Sequence, residues 1–100
     1  MEFRLADYGL VFSTRDRGKD MLRDLHSWRG STPVDDITID FAGVRSSSYS
    51  FVDEFVGELF ESASPRLVHV PPSAARSIER SFRLRGIDID SALADCLELA

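Results

Sequence analysis

Between Ile37 and Phe60 the hydrophobic period changes from two to nearly four, which marks a strand that leads directly into a helix. Ile37, Ile39 and Phe41 alternate with Thr38 and Asp40, the signature of a pleated strand. Phe51, Val52, Phe55, Val56, Leu59 and Phe60 then recur at the spacing of one helical face. Asp53, Glu54, Glu58 and Glu61 fall on the other side. The connection Arg45-Ser46-Ser47-Ser48-Tyr49 delivers Ser50 to the expected helix start. Ser50-Phe51-Val52-Asp53 has the serine-x-x-acid spacing of a capping box, so Ser50 is expected to cap this helix. A serine-rich junction between strand and helix is the one feature suited to chemistry or docking, and the remainder reads as scaffold.

The flanking segments extend the pattern. Phe3 to Ala6 and Leu10 to Ser13 read as short strands, and Asp7-Tyr8-Gly9 between them suits an antiparallel hairpin. Ser13 is spaced to cap a helix whose apolar stripe is Met21, Leu22, Leu25 and Trp28. Gly18 should loosen its first turn, and Gly30 with Pro33 should end it. Arg66-Leu67-Val68-His69-Val70 reads as a strand buried on both faces. Ser73 is expected to cap a third helix with Ala75, Ile78 and Phe82 inward and Gly86 at its end. Asp90 or Ser91 can cap a last helix packed through Leu93 and Leu97. The order strand, strand, helix, strand, helix, strand, helix, helix predicts a small α/β domain with a parallel crossover at its centre.

Composition narrows the function. A net charge of −5 argues against general affinity for nucleic acid or anionic lipid. No apolar run is long enough to span a bilayer and no cationic, apolar leader opens the sequence, so a cytoplasmic location is expected. Cys96 alone forms neither an internal disulfide nor a cysteine-built zinc site, and among Leu93, Leu97 and Leu99 it reads as a small buried hydrophobe. His26 has no second ligand at helical spacing and reads as a surface or partly packed residue. Arg76, Arg80 and Arg83 would share one face of the third helix, either as a solvated face or as a dock for an acidic or phosphorylated partner.

A serine nucleophile needs an oriented base within reach, but His26 is in a helix, His69 is mid-strand, and no nucleophile-elbow sequence surrounds Ser50. The neighbouring pairs Asp35-Asp36 and Asp53-Glu54 should diverge rather than converge on a substrate. No glycine-rich phosphate cradle is present. A non-enzymatic role follows, with no cofactor and no metal. Ser50 at a helix start is also a position where a phosphate would be tolerated.

Asp40-Phe41-Ala42-Gly43-Val44, then the serines, then Ser50-Phe51-Val52-Asp53-Glu54-Phe55 resembles the STAS-like domain family, whose recurring core is roughly DF-x-GV followed by SF-x-DE. That family is similar to the STAS domains of bacterial anti-sigma factor antagonists and of sulfate transporters. The resemblance is tight from Ile39 to Leu59. It implies a small mixed sheet of about four strands with helices packed mainly on one side, and a partner surface around the loop before the second helix. In anti-sigma factor antagonists a partner kinase phosphorylates a serine of that loop, in a pattern like D-S-S-G. Laid on this sequence without gaps, Ser50 matches the phosphorylated serine, while Ser48 and Phe51 stand in place of the aspartate and glycine.

The resulting expectation is one STAS-like domain over residues 1–100 that docks a histidine-kinase-like ATPase or an anti-sigma-type regulator. Docking would use Ser46, Ser47, Ser48, Tyr49, Ser50 and Glu54 on the loop and helix 51–61, with phosphorylation of Ser50 as a switch. The alternative is a constitutive adaptor or subunit of a larger assembly, its serine loop purely structural. The sequence leaves the oligomeric state open.

Overall fold

A computed structural model describes residues 1–90 and 97–99. Strand β1 (Glu2–Arg4) is followed by a 3-10 turn and β2 (Val11–Phe12), then by helix α1 (Arg15–Arg29). Next come β3 (Thr38–Asp40) and β4 (Ser46–Ser47). The central helix, 49–60, is built of α2 (Tyr49–Val52), a π-helical stretch (Asp53–Gly57) and α3 (Glu58–Phe60). Strand β5 (Arg66–Val70), helix α4 (Pro72–Arg85) and β6 (Leu97–Leu99) complete the described elements.

The α/β class and the four-stranded sheet agree with the sequence reading. The sheet, in the order β1-β3-β5-β6, is parallel throughout rather than mixed. Between successive strands of this sheet a helix carries the chain back, α1 from β1 to β3, the central helix from β3 to β5 and α4 from β5 toward β6, which is what a parallel neighbour requires. Phe3, Ile39 and Leu67 stand in register and are buried, whereas Glu2, Thr38 and Arg66 share the other row. Helices α1 and α4 both pack on the central helix, so the three form one layer against the sheet.

The expected hairpin between the first two strands is absent. The 3-10 turn Leu5–Asp7, with Leu5 buried, redirects the chain, and β2 pairs in parallel with β4 instead. Phe12 anchors this small second sheet: its ring lies 4.7 Å from that of Phe51, which stacks on Phe55 at 5.7 Å. All three are buried, each ring contributing about 1.5–3 kcal/mol.

The helix caps are displaced from the expected ones. Thr14, not Ser13, caps α1 by accepting from the Arg17 N–H. Helix α4 begins at Pro72, which has no N–H and so needs no capping acceptor, and Ser73 lies within the first turn. Gly30 and Gly86 end their helices as expected, with Gly86 in the left-handed conformation at φ 73°. Gly18 is buried and lets α1 approach the central helix: a Cβ there would sit 2.8 Å from the Glu54 Cβ. Leu97, expected in a last helix, is in β6; Ser91, Leu93 and Cys96 lie outside the described residues.

Candidate functional site

The serine stretch is a short strand and a cap rather than a free loop. Ser46 and Ser47 pair with Val11 and Phe12, and the Ser48 N–H donates to the Phe12 carbonyl at 2.8 Å. The Ser48 hydroxyl accepts from the Phe51 N–H at 3.1 Å and so caps the central helix. The sequence reading gave this duty to Ser50, which instead occupies the first helical turn. Both serines offer a hydroxyl, but pairing with β2 holds the chain extended as far as Ser47, so the helix begins two residues early. Phe51 is buried, as its apolar spacing required.

Tyr49 leads the helix, and the Arg80 guanidinium lies 4.7 Å above its ring. Helix α4 also packs against β4. Strand β4 therefore pairs with β2 and also contacts α4. Leu10 and Val11 on the β2 side are 44% and 58% exposed, and Ser46 is exposed while Ser47 to Ser50 are half-buried.

Behind this surface lies an ion cluster. Asp53 Oδ1 accepts from Ser81 Oγ at 2.6 Å and Arg85 Nε at 2.8 Å, and Oδ2 accepts from Arg15 Nη1 at 2.8 Å. Arg85 Nη2 donates to the Asp53 carbonyl at 2.9 Å, and Nη1 reaches Glu61 at 3.1 Å. The Arg85 hydrogen bond, with those from Ser81 and Arg15, outweighs burial and holds the Asp53 carboxyl far below the usual range; Asp53 in turn raises Arg85. Arg15 also bonds Glu54 at 3.3 Å. The adjacent carboxylates Asp53 and Glu54, expected to diverge, converge on this one guanidinium where the helix widens into its π stretch. Glu54, expected on a partner surface, therefore faces α1.

A family model described as a STAS-like domain of unknown function matches residues 31–70. Over this stretch, less than half of the chain, the sequence is similar to that family. No curated protein and no solved structure matches the chain. The STAS-like stretch runs from the link after α1 through β3, the serines and the central helix to the end of β5. It contains Asp53 and Gly57, whereas Arg15, Ser81 and Arg85 lie outside it.

The STAS-like stretch holds a second polar pair. Asp40, buried at the end of β3, accepts from the Ala42 N–H at 2.8 Å and meets His69 Nδ1 at 2.9 Å. Beside an ionised carboxylate, Nδ1 carries the proton and Nε2 is left to solvent. His69 has φ 54°, the left-handed region, and sits where the β5–β6 register shifts. This irregularity turns its side chain outward in a strand expected to be buried on both faces. The other histidine, His26, accepts from Arg29 Nε at 3.1 Å through Nδ1. Among the described residues no three of His, Cys, Asp and Glu are grouped as a metal would need, and no helix is long and apolar enough to cross a membrane.

The sequence analysis named the serines and missed both clusters. Signals for the first existed. Ser81 and Arg85 are four apart beside the apolar stripe of α4, and Gly57 interrupts the central helix where a Cβ would sit 2.5 Å from Arg85 Nε. No local pattern joins Asp40 to His69.

Proposed function

We propose that this chain is a non-enzymatic interaction module that docks a signalling protein through Ser46 to Ser50. The observation that carries the reading is that this stretch is accessible yet fixed on both sides, by β2 pairing and by the Arg80–Tyr49 stack. A surface already in its bound shape loses little entropy on association. The exposed Leu10 and Val11 add apolar area beside the serine hydroxyls, the mixture that partner surfaces use. The resemblance to anti-sigma factor antagonists suggests the partner class, a histidine-kinase-like ATPase, with ATP belonging to the partner. Ser50 is the switch. A phosphate there adds up to about two negative charges, one turn ahead of Asp53 and Glu54. Those charges would repel an acidic partner and contest Arg15.

Capture of the partner from the host by wild-type and Ser50→Glu chains, with intact-mass analysis of the recovered wild type, tests the reading. Wild type retains the partner and Ser50→Glu loses it. Equal retention would refute the switch and, with it, docking through this stretch, and loss of the partner by Ser50→Ala as well would make Ser50 a contact residue rather than a switch.

A further inference from the structure

Most described arginines of the helical layer are committed within the molecule. Arg15 and Arg85 bind the Asp53 cluster, Arg23 pairs with Asp20, Arg29 holds His26 and the Thr32 carbonyl, and Arg17 donates to the Tyr8 carbonyl. Arg76 and Arg80 are exposed and, among the described residues, have no carboxylate within ion-pair distance. In a chain with 17 acidic residues against 12 basic ones, Arg76 and Arg80 stand one helical turn apart, and Arg83, also exposed and without a carboxylate within ion-pair distance among the described residues, continues the row into an island of opposite sign. Its place is specific: Arg80 covers Tyr49, and α4 contacts β4.

From this we infer that Arg76 and Arg80 read an acidic segment of the docked protein, whose apolar residues rest on Leu10 and Val11 across the serines. The inference rests on the docking reading and adds the chemistry of the partner. Charge complementarity selects the occupant. A guanidinium pair one turn apart can take carboxylates in bidentate fashion, and the net charge of −5 repels a nucleic acid over the rest of the surface. Arg80 is already held over an aromatic ring, so less side-chain freedom is lost when it binds. A phosphate on Ser50, the residue after the Tyr49 that Arg80 covers, would add negative charge to the same surface, which links this site to the switch.

The test is titration of the full chain with a short poly-glutamate peptide, followed by amide NMR. The expected shifts cluster on Tyr49 and on α4 around Arg76 and Arg80. Affinity should fall roughly 5–10-fold in the Arg76→Gln/Arg80→Gln double variant and stay unchanged in Arg23→Gln, and raised salt should weaken binding. Absence of binding, shifts centred elsewhere, or equal affinity in the double variant would overturn the inference. Partner capture separates its failure from that of the docking reading. A partner kept by the double variant but lost by Ser50→Glu removes the acidic segment and leaves the dock, whereas a partner kept by both removes the dock as well.

Discussion

Ser48 and Ser50 are two residues apart and have different duties. The hydroxyl of Ser48 closes a backbone donor of the central helix, whereas that of Ser50 has no part in the cap. Ser48→Ala should therefore cost about 1 kcal/mol of stability, and Ser50→Ala should leave the melting temperature unchanged; the reverse order would disprove the assigned cap. Asp40 and His69 give a pH-dependent counterpart. The Asp40 hydrogen bond raises His69, overcoming its desolvation. For Asp40, burial pushes the carboxyl up, and the Ala42 N–H and His69 together more than reverse it. The sign follows from both shifts. The histidine's contribution is complete below its unfolded pKa of about 6.5 and is lost as pH rises through the higher folded value. The aspartate's contribution is complete above about 3.9 and is lost as pH falls through the lower folded value. The NMR titration midpoint of His69 should lie above that of an unperturbed histidine and fall back in Asp40→Asn; an unshifted midpoint in the wild type would exclude the pair. The Ser48 cap was within two residues of legible. The His69 contact was not, because its partner is far away in sequence and its backbone leaves the strand conformation at that point.

At the scale of elements, the central helix was the clearest feature of the sequence. Its apolar positions are buried as the four-residue spacing required. What spacing does not reveal is how closely the neighbouring helices approach. Gly57 marks that approach: an added Cβ would fall 2.5 Å from Arg85 Nε and 2.6 Å from Ser81 Oγ. By propensity alone Gly57→Ala should stabilise a helix by about 1 kcal/mol. Here it should destabilise by about 1–3 kcal/mol, because the ion cluster on Asp53 must shift. Combined with Arg85→Ala, the loss should be smaller than the sum of the two single losses. A Gly57→Ala chain as stable as wild type, by chemical denaturation, would show that the cluster has room to move. The first strands were misread for a related reason. Asp7-Tyr8-Gly9 carries a local turn signal, but Phe12 finds its partner ring on Phe51, and that long-range packing decides where β2 pairs.

For the whole molecule, the α/β class was readable because strand and helix periods alternate along the chain, whereas the helical layer and the STAS-like stretch were implied by the resemblance carried by Asp40 to Val44 and Ser50 to Phe55. The parallel order of every strand in the larger sheet was only partly readable, since the last strand lies where the sequence favoured a helix. The account of function depends on one arrangement: serines fixed between β2 and α4, with apolar residues on one flank and arginines on the other. The most direct measurement is partner capture from the host with wild-type and Ser50→Glu chains of equal thermal stability. The account predicts that the wild type brings down a stoichiometric protein partner and that Ser50→Glu does not. Equal recovery of that partner by both chains would contradict it and place the contact on another face.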